Sequence, residues 1–181
     1  MTKYYKESGN YSILSFAYFL LTCIIFLPIF ALIYTYLIWY IPFIYINFFI
    51  TAGLGFVTGL SVMYLAIKLG KIRNSKIALL LGILGGIIVL YFSWAVWIDL
   101  VINASDSYGN SRIGITVSTT KMDELLQLVI QPDLILELIS EINNVGAWGL
   151  FGSTVSGVFL TIIWIIEALI VIVISVILPY S

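Results

Sequence analysis

The chain has 181 residues, 62% of them apolar and only 9% Asp, Glu, Lys or Arg, with a net charge of −1. A soluble domain carries roughly 25% charged residues to wet its surface, so this composition excludes an ordinary soluble globule, and it is too apolar for a disordered chain. The expectation is an all-α, polytopic membrane protein. With no histidine and a single cysteine, imidazole catalysis, His-ligated metals, internal disulfides and CxxC redox pairs are all excluded. Cys23 sits in an apolar run and reads as a small buried hydrophobe rather than a reactive thiol.

Crossing the hydrocarbon core takes about 20 apolar residues in a helix. Four runs reach that length: Leu14 to Tyr40, Phe43 to Ile67, Ile77 to Ile102, and about Val155 to Leu178. They are unbroken, unlike the alternating ten-residue strands of a barrel. The whole chain therefore reads as a single four-helix transmembrane domain. Lys3 and Lys6 resemble a signal-peptide n-region, but the first run is too long for an h-region and no cleavage site closes it. It reads as a retained anchor.

Charge orients the spans. Lys3, Lys6, Lys68, Lys71, Arg73 and Lys76 flank the spans on one side against Glu7 alone. The opposite segment, Asn103 to Gly149, holds Arg112 and Lys121 against Asp106, Asp123, Glu124, Asp133, Glu137 and Glu141. By the positive-inside rule both termini face the cytoplasm, as in a bacterial inner-membrane protein. The Lys68 to Lys76 run needs no further role than this, although anionic lipid or phosphate is its functional alternative.

The first span is crowded with Phe and Tyr and shows only a faint small-residue face, Ala17, Ala31 and Thr35. Pro28 near its middle is expected to kink it by removing a backbone donor. The turn Trp39-Tyr40-Ile41-Pro42-Phe43 is nearly all apolar and fits the outer aromatic belt or a partner groove.

At 100° per residue, three small-residue stripes emerge. On the second span Thr51, Gly55, Thr58, Gly59, Val62 and Ala66 share an arc of about 100°. On the third, Ala78, Gly82, Gly85, Gly86, Val89 and Ser93 do the same. On the fourth, Ser153, Ser156, Gly157, Trp164, Glu167, Ala168 and Ser175 share about 120°, opposite a branched aliphatic face. Small residues allow close backbone approach in lipid, so these stripes are expected to converge, with Gly55, Gly59, Gly82, Gly86, Gly157 and Ala168 as packing positions.

Two acids fall inside spans. Glu167 lies mid-span, where an ionised side chain costs about 3 kcal/mol on insertion scales, and no span offers a basic partner. A protonated carboxyl hydrogen-bonded to Thr51, Thr58 or Ser93 is the expected resolution, serving as interhelical glue or as a titrating proton or cation site. Asp99, beside Trp94 and Trp97 near the end of the third span, reads as an interfacial carboxylate reaching outer water.

In the segment after the third span, Asn103 to Asn110 reads as loop and Arg112 to Ser118 as a short strand. Thr120 with Asp123 predicts an N-cap opening a helix through Leu125, Leu128 and Val129. Pro132 then starts a second helix, with Ile135, Leu138, Ile139 and Ile142 on one face and Asp133, Glu137 and Glu141 on another. Helices this short need support, and acidic faces avoid anionic headgroups, so the bundle top or a partner protein is the expected support. The acidic row lacks the looped ligand arrangement of a calcium site, and no nucleotide, protease or hydrolase motif is present. The Asn103-Ala104-Ser105 sequon carries weight only in a glycosylating pathway.

No cofactor and no nucleic-acid partner are expected. The leading expectation is a non-enzymatic subunit or scaffold in the lipid bilayer, associating with other membrane proteins or itself. A proton- or cation-coupled transporter or channel subunit using Glu167 is the alternative. Size and span count also match small bacterial four-span proteins such as immunity proteins against membrane toxins, though span count alone carries no function. An intramembrane enzyme ranks last, because Glu167 and Asp99 are not paired by spacing.

Overall fold

A computed structural model describes residues 12–41, 43–103, 108–110, 115–117, 120–146, 148–150 and 153–180. The expectations placed on Lys3, Lys6, Glu7, Pro42, Ala104, Ser105, Asp106 and Arg112 lie outside the described residues. The framework is all-α. Four helices are long and apolar enough to cross a membrane: Ile13–Tyr40, Tyr45–Leu69, Ser75–Ile102 and Gly157–Tyr180. Each matches an expected span to within a few residues.

The first span is α1 (Ile13–Leu21), a π-helical turn (Thr22–Phe26) and α2 (Leu27–Tyr40). Its irregularity has an identifiable cause. Pro28 cannot donate to the preceding turn and its ring crowds the carbonyl four residues back. Widening that turn to π spacing relieves the clash without exposing backbone to lipid. Thr22 Oγ1 also donates to the Tyr18 carbonyl at 2.8 Å, drawing that carbonyl towards the hydroxyl at the same point.

The second span is α3 (Ile44–Ser61) continued by a π-helical stretch, Val62–Leu69. It ends at Gly70, followed by Lys71 with φ of 54°. Gly70 is obligatory, because a Cβ there would run into the Ala66 carbonyl and into Ser15, whose Cα would lie 2.6 Å away. The start of α1 therefore seats directly on the end of the second span. Phe19, Val62, Ala66, Ile67, Ile72, Ile77 and Leu81 form the apolar cluster around this seat. Asn74 Oδ1 accepts from the Lys76 and Ile77 amides at 3.0 and 3.3 Å and so opens α4 (Ser75–Ile102).

The segment between α4 and the last helix holds two hairpins and two helices. Strand β1 (Tyr108–Asn110) pairs antiparallel with β2 (Ile115–Val117), aligning Gly109 with Thr116. Helices α5 (Met122–Ile130) and α6 (Pro132–Val145) follow, then β3 (Trp148–Leu150) paired with β4 (Ser153–Val155), then α7 (Gly157–Tyr180). Tyr108–Asn110, expected as loop, is thus a strand. Val155, expected to open the fourth span, closes a hairpin instead.

The chain divides into two compact units. The first comprises residues 1–90 and 167–181, the second residues 91–166. The first unit is built on one close approach. A Cβ at Gly55 would stand 2.9 Å from the Val171 carbonyl oxygen, and one at Gly59 would stand 3.0 Å from that of Ser175. On α4, a Cβ at Gly82 would meet the same Ser175 oxygen at 3.0 Å, and one at Gly86 would meet Ser175 Oγ at 2.7 Å. The two GxxxG pairs thus receive the same stretch of α7. Ser175 Oγ lies 3.0 Å from the Gly82 carbonyl and 2.9 Å from the Ile172 carbonyl, and donates its proton there.

The far side of α7 is open. Phe159, Ile162, Ile166, Leu169, Val173 and Ile177 are all exposed, which is the expected lipid-facing row. Gly157 does not join the packing. Nothing lies within 4 Å of a Cβ there, and its φ of +65° shows that it serves the turn from β4 into α7. Ala168 is half-buried.

Gly55→Val and Gly82→Val should each lower stability by about 1–3 kcal/mol, because the obstructing atoms are backbone and cannot rotate away. Gly53, with nothing within 4 Å, should accept alanine without loss. Thermal unfolding of the purified chain in mild detergent checks both.

Candidate functional site

The seam between α3 and α7 sets a register. Gly55 meets Val171 and Gly59 meets Ser175, so the two helices run in parallel steps of four. One further step back brings Thr51 level with Glu167. Thr51 is fully buried, and its Oγ1 lies 3.2 Å from the Tyr34 hydroxyl in a buried hydrogen bond from α2. Glu167 is close enough to Tyr34 for its charge to act on the phenol. Tyr34, Thr51 and Glu167 therefore form a polar layer spanning α2, α3 and α7.

This differs from the expected arrangement. The Thr51 hydroxyl is taken by Tyr34, and among the described residues none hydrogen-bonds the Glu167 carboxyl. Thr58 is fully buried, yet its Oγ1 has no hydrogen-bond partner. Ser93 is buried and belongs to the other unit. Two buried polar residues escaped the sequence reading, Tyr34 in the layer and Asn47 one turn from it. Tyr34 follows Leu27 and Ala31 on the buried face of α2, where the small-residue search passed over a large ring. Asn47, one turn before Thr51, is 4% exposed and its Oδ1 has no partner.

In the second unit Asp99 is the polar centre. It is only 1% exposed, which overturns the solvated interfacial carboxylate expected there. The reason is coverage: Ala95, Val96, Ile98 and Leu100 around it are also buried, so this face of α4 is covered although Ile102 is 50% exposed. Asn103 Nδ2 lies 3.1 Å from Asp99 Oδ1, 3.0 Å from the Asp99 carbonyl and 3.0 Å from Glu124 Oε2, its two protons shared among these three acceptors. Asp99 Oδ2 accepts from the Lys121 backbone N–H at 3.3 Å.

That last contact replaces the expected cap. Lys121, not Thr120, is the N-cap residue of α5, and no side chain of the helix itself caps it. A carboxylate from α4 stands at the helix N-terminus instead, where exposed N–H groups and the dipole favour negative charge. Lys121 Nζ adds an exposed ion pair to Glu124 at 3.4 Å, of little energetic weight.

The outer helices are held by further polar ties. Tyr91 donates its hydroxyl to the Val129 carbonyl at 2.8 Å, and Asn143 Nδ2 donates to Thr161 Oγ1 at 3.1 Å. Leu125, Leu128 and Ile135 are buried beneath them. Trp94, Trp97 and Trp164 form an edge-on triangle with centroids 4.7 to 6.3 Å apart. The two Trp residues of α4, expected at the interface, thus pack on a third ring from α7. Asp133, Glu137 and Glu141 are exposed on α6.

Compared with protein-family models, curated proteins and solved structures, the chain matches none.

Asp99→Ala should remove the carboxylate that receives the Lys121 N–H and one of the three acceptors of the Asn103 amide, a loss of about 1–3 kcal/mol. Amide exchange across Met122–Val145 should then accelerate while Ser75–Leu90 stays protected. Equal acceleration in both segments would show that the network does not anchor α5 specifically.

Proposed function

We propose that the chain is a non-enzymatic subunit or scaffold of a membrane complex, acting through another membrane protein or a second copy of itself. The observation that carries this reading is the surface of α5 and α6. Leu126, Ile130, Leu136 and Val145 are 56%, 76%, 65% and 78% exposed, yet they lie outside the four spans. Each helix has already used its other apolar face: Leu125, Leu128 and Ile135 are buried. What remains is apolar side chains interleaved with Asp133, Glu137 and Glu141. The bilayer surface is a poor cover for it, because surface-lying helices carry Lys and Arg rather than an acidic row. A protein partner covers both the apolar and the acidic positions.

The proposed setting is a bacterial cytoplasmic membrane with both termini inside. Lys68, Lys71, Arg73 and Lys76 lie at one junction of spans, and the acidic helices lie in the segment between the third and fourth. Lys68 Nζ sits 4.1 Å from the Tyr64 ring centroid, placing a cation beside an interfacial aromatic.

Two measurements test the reading. A photo-reactive residue at Leu136 or Val145, in native membranes, should give one discrete protein adduct, whereas the same probe at lipid-facing Phe159 should not. A monodisperse monomer with no adduct from either outer position would refute the subunit role. For sidedness, in a Cys23→Ser background, Asn74→Cys should resist impermeant thiol reagents applied from outside, and Ser140→Cys should react.

A further inference from the structure

The inward face of α3 carries more oxygen than helix packing requires. Asn47, Thr51 and Thr58 are 4%, 0% and 0% exposed, and they share one side of the helix at steps of four and seven. Glycine or alanine would allow the same backbone approach. Asn47 Oδ1 and Thr58 Oγ1 are buried with no hydrogen-bond partner. Buried polar atoms are almost always satisfied, so each orphan points to a group that the protein alone does not supply.

One turn from Asn47 on the same side of α3, Thr51 comes level with a carboxyl. Glu167 stands at the same level on α7, and none of the described residues hydrogen-bonds its carboxyl. The Tyr34 hydroxyl, 3.2 Å from Thr51 Oγ1, closes the third side. Tyr34 is the titratable side chain on which the Glu167 charge acts, and no lysine or arginine stands in the layer. Every donor is thus an oxygen: carboxylate, phenol, hydroxyl and amide carbonyl.

That chemistry is selective. Oxygen donors suit hard cations, not the soft or nitrogen-seeking transition metals. Among the described residues no group of three or more His, Cys, Asp or Glu exists that would hold a multivalent ion. A single carboxylate neutralises one positive charge. A divalent ion would leave a net charge stranded in apolar surroundings, whereas a monovalent ion leaves none.

We propose that Glu167, Thr51, Tyr34 and Asn47 form a binding site for one small monovalent metal cation, of the size of Na+ or Li+. The cation takes the place of the carboxyl proton, one proton leaving as one cation arrives, so the layer is neutral in both states. Asn47 supplies the amide oxygen that otherwise has no use. The site is independent of any partner on α5 and α6.

Infrared difference spectroscopy on the full chain in phosphatidylcholine–phosphatidylglycerol nanodiscs tests this. At fixed pH, adding NaCl or LiCl should diminish the protonated-carboxyl band, with more salt needed as pH falls. Glu167→Gln should abolish the response. Tyr34→Phe and Thr51→Val keep the carboxyl and the volume, and each should raise the Na+ concentration required by about tenfold, as expected for one lost ligand. A band unmoved by Na+ and Li+ overturns the proposal, even if it titrates with pH. So does an unchanged Na+ response in Glu167→Gln, or natural affinity in both Tyr34→Phe and Thr51→Val. Should Glu167→Gln fail to fold, those two variants decide alone.

Discussion

The first unit depends on the seating of one stretch of α7, Val171 to Val176, between two glycine pairs on different helices. Lipid does not press apolar helices together, so association rests on close van der Waals contact and on hydrogen bonds formed inside. Both are present at one point. Gly55, Gly59, Gly82 and Gly86 each bring a neighbouring main chain or Ser175 Oγ so near that a Cβ would crowd it. Ser175, buried between them, donates across to the Gly82 carbonyl. The contact works because backbone meets backbone, with few flexible side chains to order.

A seam of this type fixes register as well as proximity. Sliding α7 by one turn would shift a glycine hollow by about 5.4 Å and place a larger side chain against a main chain. The same constraint holds Glu167 at the height of Thr51 and Tyr34. The second unit solves its polar problem in another way. Asp99 is buried together with the donors it needs, and one of these is a backbone N–H at the start of α5. A helix of nine residues is too short to be stable unaided. Its charge complement comes from Asp99 on α4, and α6 packs beside it.

Much of this was legible in the sequence because the bilayer imposes coarse rules. Span length follows from hydrocarbon thickness, and the glycine stripes follow from helical period, so both could be read residue by residue. The amphipathic outer helices were legible for the same reason: Ile135 is buried and Glu137 exposed, as a 3.6-residue period requires. What failed were readings that needed a tertiary neighbour. Asp99 counts as interfacial only if the segment beyond it stands aside, and instead that segment covers it. Thr120 is a sound cap by local rules, but the Asp99 carboxylate from α4 lies at the N-terminus of α5. The hairpins Tyr108–Asn110 with Ile115–Val117 and Trp148–Leu150 with Ser153–Val155 have three-residue strands, too short to show alternation. Tyr34 and Asn47 were overlooked because a search for small residues does not return a phenol or an amide.

The contrast between Ser175 and Glu167 shows where the sequence places its constraints. Eight residues apart on α7 and in the same unit, Ser175 is fully buried and Glu167 half-buried. Ser175 has two carbonyls within reach of its one proton and sits against glycines that leave no room for a Cβ. Glu167 has the more demanding group and the less complete environment. If helix packing alone governed α7, a carboxyl would be the poorest choice at this height, since serine or glutamine would bridge to Thr51 without a charge to desolvate. The seam thus fixes the height of the carboxyl in α7 without supplying it a hydrogen-bond partner, and an acid inside a span costs more than packing alone requires.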